Sequence, residues 1–111
     1  MGRVTTVYID KAAYTYLKGY YKMGLWRMID QFLHFINYRE DKLVKVVKKY
    51  GKTDTDKITV SMPYILHRYI KNISLKYNVS MSTIINAILK FLEQEGFGGV
   101  VYLWGIKIQT T

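Results

Sequence analysis

Cysteine is absent from these 111 residues, which excludes a disulfide framework and any thiolate metal site. That absence is neutral to mildly favourable for an intracellular, cytoplasmic protein. The only two histidines, His34 and His67, fall on separate predicted helices and no cysteine accompanies them, so neither a metal nor any other cofactor is expected. No serine has the glycine elbow of a hydrolase and no carboxylate pair stands out, so no enzyme is expected. No apolar run approaches the roughly 20 residues that span a bilayer. The opening Met-Gly-Arg leads into a strand-like segment, which does not read as a secretory signal. Met1-Gly2 with Thr6 fits a myristoylation pattern loosely. A lipid there would sit beside a strand that the fold needs. Acid is also scarce: 8 Asp and Glu stand against 17 Lys and Arg, a formal net charge of +9.

That surplus favours an anionic partner, nucleic acid first and an anionic membrane second. The plain alternative is a basic protein with a solvated lysine surface. Half of the residues are hydrophobic, enough for a core and against disorder. The length fits one compact domain or two very small units fused.

Residues 57–92 carry the clearest pattern. Lys57 to Met62 alternates, with Val60 and Met62 on one side and Thr59 and Ser61 on the other, and stops at the single proline, Pro63. Leu66, Ile70, Ile73 and Tyr77 then recur at helical spacing. Asn78-Val79-Ser80 reads as a turn, with Ser80 placed to cap a second helix striped by Ile84, Ile85, Ile88, Leu89 and Leu92.

The first half has a degraded version of the same order. Thr5 to Asp10 alternates, with Val7 and Ile9 on one face. Ala13, Leu17 and Tyr20 follow at helical spacing, and Gly24 is expected to end that helix in a left-handed cap. Met28, Ile29, Phe32, Leu33 and Ile36 then reproduce the later stripe. The strands are offset by 53 residues (Thr6 to Thr59) and the second helices by 56 (Met28 to Ile84), which places a three-residue shortening around the first turn. Chance amphipathic similarity is the competing explanation. Asp41 to Tyr50 reads as an extension of the second helix, with its lysines toward solvent, and 51–56 as a polar linker. Gly96 reads as a helix cap. Val100 to Ile108 reads as a strand or small hairpin covering apolar surface.

Strand, helix, turn and helix in this order resemble the ribbon-helix-helix family of DNA-binding regulators. The resemblance is good over 57–92 and loose over 4–36. Two copies in one chain resemble the tandem regulators of conjugative plasmids and of filamentous viruses of hyperthermophilic archaea. The Lys-, Ile- and Tyr-rich composition is similar to viral proteins of the latter group.

The resemblance implies a mainly α fold with a short antiparallel β-ribbon. The β-α-α unit would occur twice, at 4–37 and 57–95, with a helical extension and linker at 38–56 and a β-rich tail at 96–111. It further implies that the ribbon enters the major groove of double-stranded DNA, with Lys57, Thr59, Ser61, Thr6 and Tyr8 at base-reading positions. The start of the second helix would grip a phosphate, with Ser80, Ser82 and Thr83 in one copy and Arg27 in the other, helped by Arg3. The first copy lacks the serines and puts Tyr8 where the second has Ser61. An ordinary solvated strand face and a plain helix cap remain the bland readings of these residues. The expected function is sequence-specific transcription regulation, and the alternative is non-specific DNA coating or packaging. A membrane-surface role through the basic stretch Lys42 to Lys49 comes third. The ribbon and the tail each offer a route to self-association.

Overall fold

The computed structural model describes residues 2–51 and 56–100, with the side chains of 2, 3, 56 and 57 outside the described set. Strand β1 (Gly2–Ile9) is built from β-branched and aromatic residues that suit a pleated surface. It pairs antiparallel with β2 (Asp56–Pro63), and among the described residues these two strands form the sheet. Alternation then sorts the faces. Val7, Ile9 and Met62 are buried, while Val4, Thr6, Tyr8, Thr59 and Ser61 are exposed.

Helix α1 (Lys11–Tyr21) begins at Asp10, whose carboxylate accepts from the Ala13 N–H at 3.0 Å. It ends at Lys22, which takes the left-handed conformation at φ 59°, ψ 40°. Gly24 therefore does not end α1. It stands at the start of α2 (Leu25–Phe35) in an extended conformation, φ −79° and ψ 177°. In the second half, Pro63 precedes α4 (Tyr64–Tyr77), which ends at left-handed Asn78. Ser80 then starts α5 (Met81–Glu95). The caps correspond across the halves: Asp10 with Pro63, Lys22 with Asn78, Gly24 with Ser80. The three missing residues lie within α1, 11 residues against 14 in α4, and not in the turn.

Residues 40–50 do not extend α2. Asn37 and Tyr38 both adopt φ 53°, which breaks the helix. A separate helix, α3 (Glu40–Tyr50), follows, with Glu40 and Asp41 in its first turn and Lys48 and Lys49 in its last, matching the helix dipole at both ends. The Tyr69 hydroxyl donates to the Tyr38 carbonyl at 3.0 Å, and the Tyr38 hydroxyl donates to Asp30, which pins the break. Burial, helped by Glu40, pushes the Tyr69 phenol up to about 12, and burial with Asp30 raises Tyr38 further, so both remain donors.

Gly96 closes α5 at φ 68°, a conformation natural to glycine. Phe97–Gly99 forms a 3₁₀ turn, and Val100 is helical in backbone and buried. The expected strand thus does not include Val100, because its backbone is helical at φ −57°, ψ −29°. The rest of that run, 101–108, lies outside the described residues.

The two halves interlock. Helix α5 packs on β1 and α2 packs on β2, so the second helix of each half lies under the other half's strand. One core results, in which Phe32 of α2 meets Phe91 of α5 edge-to-face at 5.4 Å. Leu43 and Val46 of α3 join the same core, against α5. Among the described residues no helix is long and apolar enough to cross a membrane.

Candidate nucleic-acid interface

The outer face of the ribbon presents three cross-strand pairs: Val4 with Ser61, Thr6 with Thr59, and Tyr8 with Lys57. Successive pairs lie two residues apart along a strand. At roughly 3.4 Å per residue the three pairs cover about 14 Å, close to four base-pair steps of DNA. All five base-reading positions expected from the sequence therefore fall on one face, in neighbouring pairs. Four of them, Thr6, Tyr8, Thr59 and Ser61, are exposed. The fifth, Lys57, is placed there by register, and its side chain lies outside the described residues, as does that of Arg3. Sequence reasoning missed Val4. Its parity with Thr6 and Tyr8 was the available signal, and its apolar character masked it.

The central pair joins two threonines and the flanking pairs are unlike, so the face has a centre but no true two-fold symmetry. Its Tyr8 end is fastened to the first turn of α5. The Tyr8 N–H donates to the Ser82 Oγ at 2.8 Å, and the Asp10 N–H donates to the Asn86 Oδ1 at 2.9 Å. The position matching Asp10 in the second half is Pro63, which has no N–H to satisfy.

These bonds correct one expectation. Ser82 is buried, 8% exposed, with its hydroxyl taken by β1, so it anchors α5 and does not face a phosphate. Ser80 remains outward. Its Oγ accepts from the Thr83 N–H at 3.0 Å and lies 2.8 Å from the Thr83 hydroxyl. In the first half Gly24 gives no side-chain cap, Trp26 stands where α5 has Ser82, and exposed Arg27 lies with its guanidinium 5.5 Å from the Trp26 ring centre. The two helix starts therefore differ in chemistry, hydroxyls in one and a cation in the other.

The acidic side chains among the described residues have basic or hydroxyl partners close by. Lys90 pairs with Asp10 and lies 3.8 Å from Glu93. Lys76 pairs with Glu40 at 2.8 Å, and Arg39 with Asp41 at 3.1 Å. The Tyr50 hydroxyl donates to Glu95 at 2.5 Å, and Lys49 lies 3.5 Å from the same carboxylate. His34 lies 3.5 Å from Asp30, the carboxylate that also accepts from Tyr38. Basic residues outnumber acidic ones 17 to 8, and among the described residues Lys18, Lys22, Lys45, Lys48, Arg68 and Lys71 are exposed.

Among the described residues no group of three or more His, Asp or Glu could hold a metal ion. No protein-family model matches the chain, and comparisons with curated proteins and with solved structures likewise give no match.

Proposed function

We propose that the chain is a sequence-specific double-stranded DNA-binding regulator of transcription, built as a tandem ribbon-helix-helix unit whose β1–β2 ribbon enters the major groove. One observation carries this reading: an exposed two-stranded face, on which Thr6, Thr59 and Ser61 stand between Val4 and Tyr8, on a chain with nine surplus positive charges. A two-stranded ribbon fits a groove about 12 Å wide, and threonine, serine and lysine all bond to base edges. The interlocked helices support the reading, because they hold that face clear of the core. Surface cations and the Ser80 and Arg27 helix starts would contact phosphates and supply affinity, leaving the choice of site to the ribbon.

The membrane-surface alternative loses its main support. The apolar side of the Lys42 to Lys49 stretch, Leu43 and Val46, is buried in the core. DNA coating is the reading to exclude by experiment. Replacing Lys57 and Thr59 with alanine should cost about 1–3 kcal/mol per lost base contact on a selected duplex. Binding to random duplex at the same salt should change little. Equal losses on both duplexes would establish coating instead.

A further inference from the structure

The outer face of the ribbon has one residue whose exposure its chemistry does not explain. Val4 is 71% exposed, on the β1–β2 sheet, beside polar neighbours. Its cross-strand partner is Ser61. The corresponding pair at the other end is Tyr8 with Lys57, and that end is tied by Ser82 to the first turn of α5, where Ser80 and Thr83 sit. One end of the face is therefore apolar and small, and the other is aromatic and adjacent to hydroxyls.

We propose that Val4 is a specificity residue that packs on the C5-methyl of a thymine, and that it sets the direction in which the protein lies on an asymmetric DNA target. This rests on the regulator reading above. In the major groove the thymine methyl is the one apolar group among the base edges, so an exposed valine on a groove-facing ribbon has a single favourable partner there. A ribbon made of two different strands has no two-fold operation that would move Val4 to both ends, and the symmetry of a target mirrors the symmetry of its protein. The thymine requirement then falls in one half-site alone, under Val4 and Ser61. The central pair, Thr6 with Thr59, spans the junction.

The test starts by selecting duplexes from a random-sequence pool with the full chain. Each thymine of the selected duplex is then replaced by deoxyuridine, which lacks only the methyl. Affinity of the wild-type chain should fall about fourfold, the worth of one buried methyl, at one or two adjacent positions confined to one half of the site. Val4→Ala should bind the thymine duplex correspondingly less tightly and lose its response to deoxyuridine at those positions alone. Val4→Thr keeps a methyl and should keep the response. Val4 is exposed, so both variants should melt like the wild type, which checks that the fold is intact. A methyl response that is the same in wild type and Val4→Ala would overturn the assignment, as would a symmetric target. Selection that yields no preferred duplex would overturn the regulator reading and this inference with it.

Discussion

Ser80 and Asp10 occupy caps at the starts of α5 and α1, and each tests a different force. The Ser80 Oγ accepts from the Thr83 N–H at 3.0 Å, so Ser80→Ala should lose about 1 kcal/mol in chemical denaturation. If the same helix start holds a phosphate, affinity for every duplex should also fall, measured where the variant stays folded. Unchanged affinity would leave Ser80 a cap alone. Asp10 tests charge. The Lys90 ammonium bonded to it, and then the Ala13 N–H, hold its carboxyl below the ordinary value of 3.8. A carboxylate with a depressed folded value stabilises the fold at higher pH and loses that contribution as pH falls through the folded value. As pH falls below the ordinary carboxylate value of 3.8, the wild type should therefore lose more stability than Asp10→Asn. Parallel acid curves for the two proteins would show that the Asp10–Lys90 pair contributes nothing. Neither Lys90 nor Asn86 could be matched with Asp10 from the sequence, because their meeting depends on α5 crossing under β1.

At the scale of elements, period carried most of the reading. The alternation at Thr5 to Ile9 and Lys57 to Met62 sets the strand faces, and the stripes at Met28 to Ile36 and Ile84 to Leu92 set the buried sides of α2 and α5. The same alternation placed all five expected base-reading positions on one face. Element ends were less legible. Lys22, not Gly24, takes the left-handed cap, since a cap depends on backbone geometry that a lysine adopts when packing requires it. The break at Asn37 and Tyr38 left no period to read, so α3 merged with α2. The phosphate set suffered for the same reason as the caps. Ser82 and Thr83 look alike in sequence, and only the approach of β1 turns Ser82 inward. Helix α3 supplies a further test. Leu43 is fully buried against α5, and Leu43→Ala should cost about 2–5 kcal/mol in urea denaturation. A loss far below that range would mean that α3 is an appended element whose removal leaves the core intact.

The interlock makes a claim about the whole molecule. Helix α5 supports β1 and α2 supports β2, so neither half completes its core alone. The stretch Tyr38 to Asp56 connects the halves through α3, and the two strands pair within one chain. An intrachain ribbon frees the fold from the concentration dependence of a dimer. The opposite arrangement would pair the β2 strands of two chains and leave β1 for other contacts. Both have the same strand chemistry, so mass and connectivity must separate them. Light scattering over a dilution series without DNA should give a constant mass near 13.1 kDa. Thr6 and Thr59 are direct cross-strand partners, and the chain has no cysteine to interfere. Cysteines placed at both positions should therefore crosslink under mild oxidation within single chains, and the product should run as a monomer on a denaturing gel. A mass that doubles with concentration, together with crosslinks formed only between chains by the Thr59→Cys single variant, would overturn the single-chain ribbon. It would also restore a two-fold axis at the centre of the DNA-facing surface, and with it a palindromic target.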